Sequence, residues 1–208
     1  MARVEDGTFT IEFTSSAYVL HELENFLTQI EGRILYEDDE GSSFLAGKLR
    51  AYYANLEGTG DHDEHPYDIL DLEAATEVFY RPLFDSKTGE FKESVLKLFG
   101  YDIVNINLLI LDRLEILPEY RGEGIGLACI YRCMQQYQHG CGLIALKPFP
   151  LQFEAIGESD KQDPWWQKLA LNAFGTDQKI CTRKLESYYR RLGFIKIPRT
   201  EVMARKPI

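Results

Sequence analysis

From Thr8 to Thr14 the apolar residues Phe9, Ile11 and Phe13 alternate with polar neighbours, the period-two pattern of a strand with one buried face. Next, Leu20, Leu23, Leu27 and Ile30 recur at helical spacing behind Ser15 and Ser16, which predicts a capped amphipathic helix. Glu37 to Gly41 reads as an acidic turn, and Phe44 to Leu56 as a long strand. Asp71 to Asp85 predicts a helix with Leu72, Val78, Phe79 and Leu83 as its contacts and Pro82 ending or kinking it. A further helix is expected from Glu90 to Phe99, before Gly100. Val104 to Leu117 is mostly apolar, as a central strand buried on both faces would be. Then a helix carries Ile130, Cys133, Met134 and Tyr137, stops near Gly140, and leads to a strand from Cys141 to Leu146. Two strands joined by a helical crossover imply parallel neighbours.

Lys147 to Asp177 breaks this rhythm. Pro148, Pro150 and Pro164 punctuate a run too long for an ordinary connection. Within it, Asp163 and Pro164 are placed to start a short helix bearing Trp165 and Trp166, which either roof a pocket or pin the excursion to the body. A last helix runs to Leu192, followed by strands Phe194 to Ile197 and Val202 to Lys206.

The 208 residues suffice for one large domain, and 12 Tyr, 12 Phe and 2 Trp argue against disorder. A formal net charge of −10 speaks against nucleic acid, whose phosphates are held by an excess of Lys and Arg. The chain has no run of apolar residues long enough for a membrane span, and its first residues lack the apolar core of a signal peptide. Cys129, Cys133, Cys141 and Cys181 form no C-x-x-C pair, so reduced thiols in a cytoplasmic protein are expected. His62, Asp63 and His65 cluster in a Gly-rich loop that reads as a solvated turn, and no metal site is expected.

The chemistry-bearing stretch is Leu114 to Leu127. A strand runs into Pro118, the chain turns, and Gly122, Gly124 and Gly126 open a helix. Glycines let backbone approach a ligand closely, and the unpaired amides of a helix start favour an anion. Leu127 and Ala128 stand where a nucleotide P-loop needs Lys-Ser/Thr, and G-x-G-x-G is not the dinucleotide fingerprint. The Arg-x-x-Gly-x-Gly spacing of Arg121, Gly124 and Gly126, with Ile116 and Pro118 leading in, instead resembles the acyl-CoA pyrophosphate loop of the GCN5-related N-acetyltransferases. A second segment, Leu185 to Phe194, resembles that family's last helix and strand, with Tyr189 four residues before Gly193-Phe194. The resemblance covers about Asn105 to Ile208.

It implies an α/β (mixed α+β) fold: one domain over 1–208 with a central mixed, splayed sheet flanked by helices and an insertion at about 147–177. It implies an N-acyltransferase, most simply taking acetyl-CoA as donor and a primary amine of a small molecule or peptide as acceptor. Backbone amides of Arg121, Gly122, Glu123, Gly124, Ile125 and Gly126 would hold the pyrophosphate. Backbone groups of Leu114 and Ile116 would pair with the pantetheine arm, and the Ile116 N–H would polarise the thioester. Tyr189 would protonate the leaving thiolate. For the base, strand parity puts Asp112 on one face with Leu114 and Ile116, while a bulge would bring in Glu115. The family's Asn seven residues before the Tyr is Thr182 here, which puts one cofactor contact in doubt. The alternative is a catalytically inactive acyl-CoA-binding sensor or interaction module. No membrane or nucleic-acid partner is expected, and a homodimer is compatible with the sequence.

Overall fold

A computed structural model describes residues 7–17, 23–58, 65–155, 157 and 162–208. Its centre is a seven-stranded sheet in the order β1-β2-β3-β4-β5-β7-β6. The strands are β1 (Thr8–Ser15), β2 (Leu27–Glu37), β3 (Ser43–Ala54), β4 (Leu108–Ile116), β5 (Leu143–Leu146), β6 (Ile195–Lys196) and β7 (Met203–Arg205). Only β4 and β5 pair in parallel; every other neighbour is antiparallel. The parallel pair is joined by the crossover helix α5 (Ile125–Tyr137), as the strand–helix–strand pattern requires. The fold is thus mixed α/β with a mostly antiparallel open sheet.

Alternation along β4 builds two cores. Leu108 and Ile110 point to one face, where they meet Ile69, Leu83 and Val95 from the short helices α1 (Pro66–Leu70), α3 (Tyr80–Leu83) and α4 (Glu93–Phe99). Leu109 and Leu111 point to the other, against Ile130, Cys133 and Met134 of α5. Truncating a side chain such as Leu109, fully buried, costs about 2–5 kcal/mol. The four cysteines are free and buried.

Three expected elements differ. The helix expected behind Ser15 is absent where it is described: Ser15 belongs to β1, Leu23–Phe26 is one 3-10 turn, and Leu27 begins an eleven-residue strand. Leu20 lies outside the described residues. The inward positions of β2 are Ile30, Gly32 and Ile34, and Gly32 abuts Ile11 and Leu49 with no side chain of its own. That silent glycine leaves Leu27, Ile30 and Ile34 at helix-like intervals and hides the period of two.

The helix expected over Asp71–Asp85 is broken into α2 (Ala74–Glu77) and α3, after α1. Buried Thr76 donates its hydroxyl to Leu70 O at 2.6 Å, and Pro82 has no N–H for the Val78 carbonyl. Helix α4 starts at Glu93, because Phe91 makes a bridge with Phe84 instead. His65 caps α1 through Nδ1, accepting from Tyr67 N at 3.1 Å, whereas His62 and Asp63 lie outside the described residues.

Candidate functional site

The β4–β5 ladder runs from Leu108–Leu143 to Leu111–Leu146 and stops. β4 continues to Ile116, paired only with β3. Leu117 N donates to Ala46 O at 2.9 Å. By the alternation of an antiparallel ladder, the backbone groups of Ile116 and Leu114 therefore point away from β3, toward the side β5 has left. This is a stretch of strand edge with its amides turned to an opening.

Pro118–Tyr120 forms one 3-10 turn, and the glycine turn follows. Gly122 (φ +96°) and Gly124 (φ +79°) lie in the left-handed region, where a side chain costs about 1–2 kcal/mol. Nothing lies within 4 Å of where a Cβ would stand on either. Gly124 is the N-cap of α5, no side chain caps it, and the first helical bond is Ala128 N to Gly124 O at 3.1 Å. The preceding amides, those of Ile125, Gly126 and Leu127, thus lack partners from the helix itself. Glu123 is exposed at the tip, and Ile125 packs beside Ile34, Ala46 and Cys129.

Arg121 fixes the turn rather than facing outward. Its Nε donates to Ile116 O at 2.8 Å and its Nη2 to Leu169 O at 2.6 Å, and its guanidinium lies 4.7 Å from the Phe174 ring centre. Burial lowers its pKa from the ordinary value, with Glu119 pulling the other way. Gly126 differs from the two outer glycines: a Cβ there would stand 2.5 Å from Tyr188 Oη and 3.1 Å from Leu114 Cδ2.

Tyr188 and Tyr189 lie on helix α7 (Gln178–Arg190), capped by Asp177 accepting from Ile180 N at 3.0 Å. Their rings meet edge to face at 5.4 Å, and Tyr189 also meets Phe194 at 6.3 Å. Burial pushes the Tyr188 phenol up to about 12 and raises Tyr189 further still, with Tyr188 adding to the effect. Both remain protonated donors at ordinary pH. The Tyr188 hydroxyl reaches the first turn of α5.

The opposite face of β4 is charged. Arg50 pairs with Arg113 and Ala51 with Leu111, so Asp112 is the extra residue of a β-bulge. The simple parity expected for this strand fails there. Leu114 and Ile116 pack on the α5 side, while Asp112, Arg113 and Glu115 all face the other. Asp112 Oδ2 accepts from Arg50 Nε at 2.6 Å. Burial works against the Arg50 charge, but Asp112, with Tyr52 and Glu31 adding to it, leaves the pKa above its ordinary value. Buried Glu115 accepts from Arg113 at 2.9 Å and from Trp165 Nε1 at 2.6 Å. Arg113 also reaches Glu154, and burial is again outweighed by these carboxylates.

These contacts lash the insertion to the sheet. Asp163 caps helix α6 (Pro164–Lys168) by accepting from Trp165 N at 2.9 Å, with Pro164 first in the helix. Lys48 Nζ lies 4.5 Å from the Trp165 ring, and Arg113 5.9 Å from the Trp166 ring. The result is a groove of about 450 Å³ lined by Tyr52, Glu73, Val78, Asp112, Lys147 and Glu154 among others. It adjoins a second hollow of about 380 Å³ that includes Trp165, Trp166 and Glu115. The tryptophans both pin the insertion and wall this space.

Of the residues singled out in the sequence, the structure brings Leu114, Ile116 and Arg121 to Gly126 together on the α5 side. Asp112 lies on the reverse face of the same strand. The sequence gives no sign of a role for Arg50 or Glu154. Nothing local marks Arg50 and Asp112, sixty-two residues apart, as partners. Among the described residues, no group of three or more His, Cys, Asp or Glu could hold a metal ion, and no helix is long and apolar enough to cross a membrane. No protein-family model matches the chain, and no curated protein matches it.

Proposed function

We propose that the chain is an acyl-CoA-dependent N-acyltransferase of the GCN5-related kind, most simply an acetyl-CoA-dependent one with a primary amine as acceptor. One observation carries the reading. An uncapped thirteen-residue helix opens from a turn with two left-handed glycines, next to a strand edge that its parallel neighbour abandons at Leu111. A turn and helix start of this shape favour a phosphate, and a free strand edge favours an extended amide-bearing chain. Acyl-CoA carries both in sequence: pyrophosphate, then pantetheine.

In this reading the amides around Gly124 hold the pyrophosphate, and Leu114 and Ile116 pair with the pantetheine amides. The Ile116 carbonyl already accepts from Arg121, so its N–H is the group left to polarise the thioester. A neutral amine enters from the groove beside the Asp112 bulge and attacks the thioester carbon. The C–S bond breaks, Tyr189 gives its proton to the thiolate, and the ammonium proton leaves through water toward Asp112.

A specific observation favours the second reading, an acyl-CoA-binding sensor without turnover: both carboxylates near the reacting end, Asp112 and Glu115, are held by arginines. A thiol-release assay over a panel of primary amines, with Asp112→Asn and Tyr189→Phe beside the natural chain, decides between them. The enzyme reading expects turnover with at least one amine, reduced by either substitution. Binding of acetyl-CoA with no turnover on any amine leaves the sensor.

A further inference from the structure

We propose that Tyr188 faces the acyl donor as well as Tyr189: its hydroxyl, set against Gly126 at the first turn of α5, donates a hydrogen bond to bound acyl-CoA where the pyrophosphate meets the pantetheine arm. The inference rests on the acyl-CoA reading above and adds a residue to it.

The geometry comes from two elements far apart in sequence. Gly126 is the second residue of α5, and α-carbon side chains lean toward the helix start. The space its Cβ would fill is taken by Tyr188 Oη at 2.5 Å, with Leu114 Cδ2 at 3.1 Å on the other side. One phenol oxygen from α7 therefore stands where α5, the free edge of β4 and α7 converge. On the acyl-CoA reading, a ligand running from the uncapped amides to the backbone of Leu114 lies beside this convergence. The third glycine of the motif has a separate cause from the first two: Gly122 and Gly124 serve backbone conformation, and Gly126 makes room for this hydroxyl.

The hydroxyl is suited to donate: among the described residues no protein group accepts a hydrogen bond from it, which leaves its donor to a ligand. Burial keeps the phenol protonated, with Arg191 pulling weakly the other way.

Calorimetric titration with CoA and with its adenosine bisphosphate fragment tests the proposal. Tyr188→Phe is expected to weaken CoA roughly five- to tenfold, the effect of one hydrogen bond, and to leave the fragment unchanged. Unchanged CoA affinity, or equal weakening of both ligands, overturns it. Gly126→Ala supplies an independent check. In the natural chain its methyl collides with Oη, whereas in Tyr188→Phe the nearest ring atom is Cζ, 3.7 Å away. The unfolding midpoint and CoA binding of Gly126→Ala should therefore recover on adding Tyr188→Phe, and failure to recover overturns the contact. If the natural chain takes up neither acetyl-CoA nor CoA, the acyl-CoA reading falls first and this inference with it.

Discussion

The two faces of β4 between Asp112 and Ile116 are held by different forces. On the α5 side the site is made of backbone: free strand amides, two left-handed glycines and an uncapped helix start, with apolar side chains behind. On the reverse side it is made of charge. Arg50 and Asp112 form one ion pair, Arg113 pairs with both Glu115 and Glu154, and the insertion hangs on Glu115 through Trp165. A backbone site is rigid and unspecific about what it accepts beyond shape and an anion. A side-chain network fixes one arrangement and becomes costly when a member is lost.

The sharpest way to break that contrast is Arg113→Ala. It strips the partner from buried Glu115 and from Glu154 together, and a loss of about 3 kcal/mol in urea unfolding is expected. The exposed pair Arg33–Glu12 is the control, since Arg33→Ala should cost no more than about 0.5 kcal/mol. Comparable losses from the two would mean the charged face is not a buried network. Trp165→Phe keeps the ring but removes the donor to the Glu115 carboxylate, with an expected cost of about 2 kcal/mol. It should also speed protease cleavage within 147–177; unchanged cleavage would show that the insertion is held elsewhere. On the backbone face, Gly124→Ala should cost about 1 kcal/mol through its φ of +79° alone, because the space beside it is open.

The smallest effect concerns alkali. Burial raises the Tyr188 phenol from its ordinary 10 to about 12, so the fold favours the neutral form. That contribution is whole below about pH 10 and is lost as pH rises toward 12. Cys129, pushed up to about 11, and Cys133 and Cys141, each to about 12, behave the same way from their ordinary 9. Tyr188→Phe should therefore flatten only part of the alkaline loss in melting temperature. A Tyr188 that titrates at its ordinary value in a spectrophotometric titration would contradict its burial against α5.

This division also governs what the sequence could disclose. The turn and helix start were legible because their causes are local: Gly122, Gly124 and the apolar spacing of α5 sit within a few residues of what they determine. β4 and β5, their parallel relation and the Asp163–Pro164 helix start were legible for the same reason. The bulge at Asp112 was not, since it arises from register against β3, set some sixty residues earlier. β2 was misread because Gly32 contributes no hydrophobic signal at an inward position. Tyr189 could be picked out by its distance from Gly193, but the reach of Tyr188 depends on how α7 packs on α5, which no spacing along the chain encodes.

The central claim is that the glycine turn and the freed edge of β4 receive acyl-CoA. Calorimetric titration of the purified chain with acetyl-CoA, beside Gly124→Glu, tests it most directly. The account predicts saturable binding that the variant loses, because a carboxylate then stands at the anion site on a strained backbone. Absence of heat and of thermal stabilisation with acetyl-CoA, longer acyl-CoAs and free CoA alike would contradict it, as would binding that Gly124→Glu leaves intact.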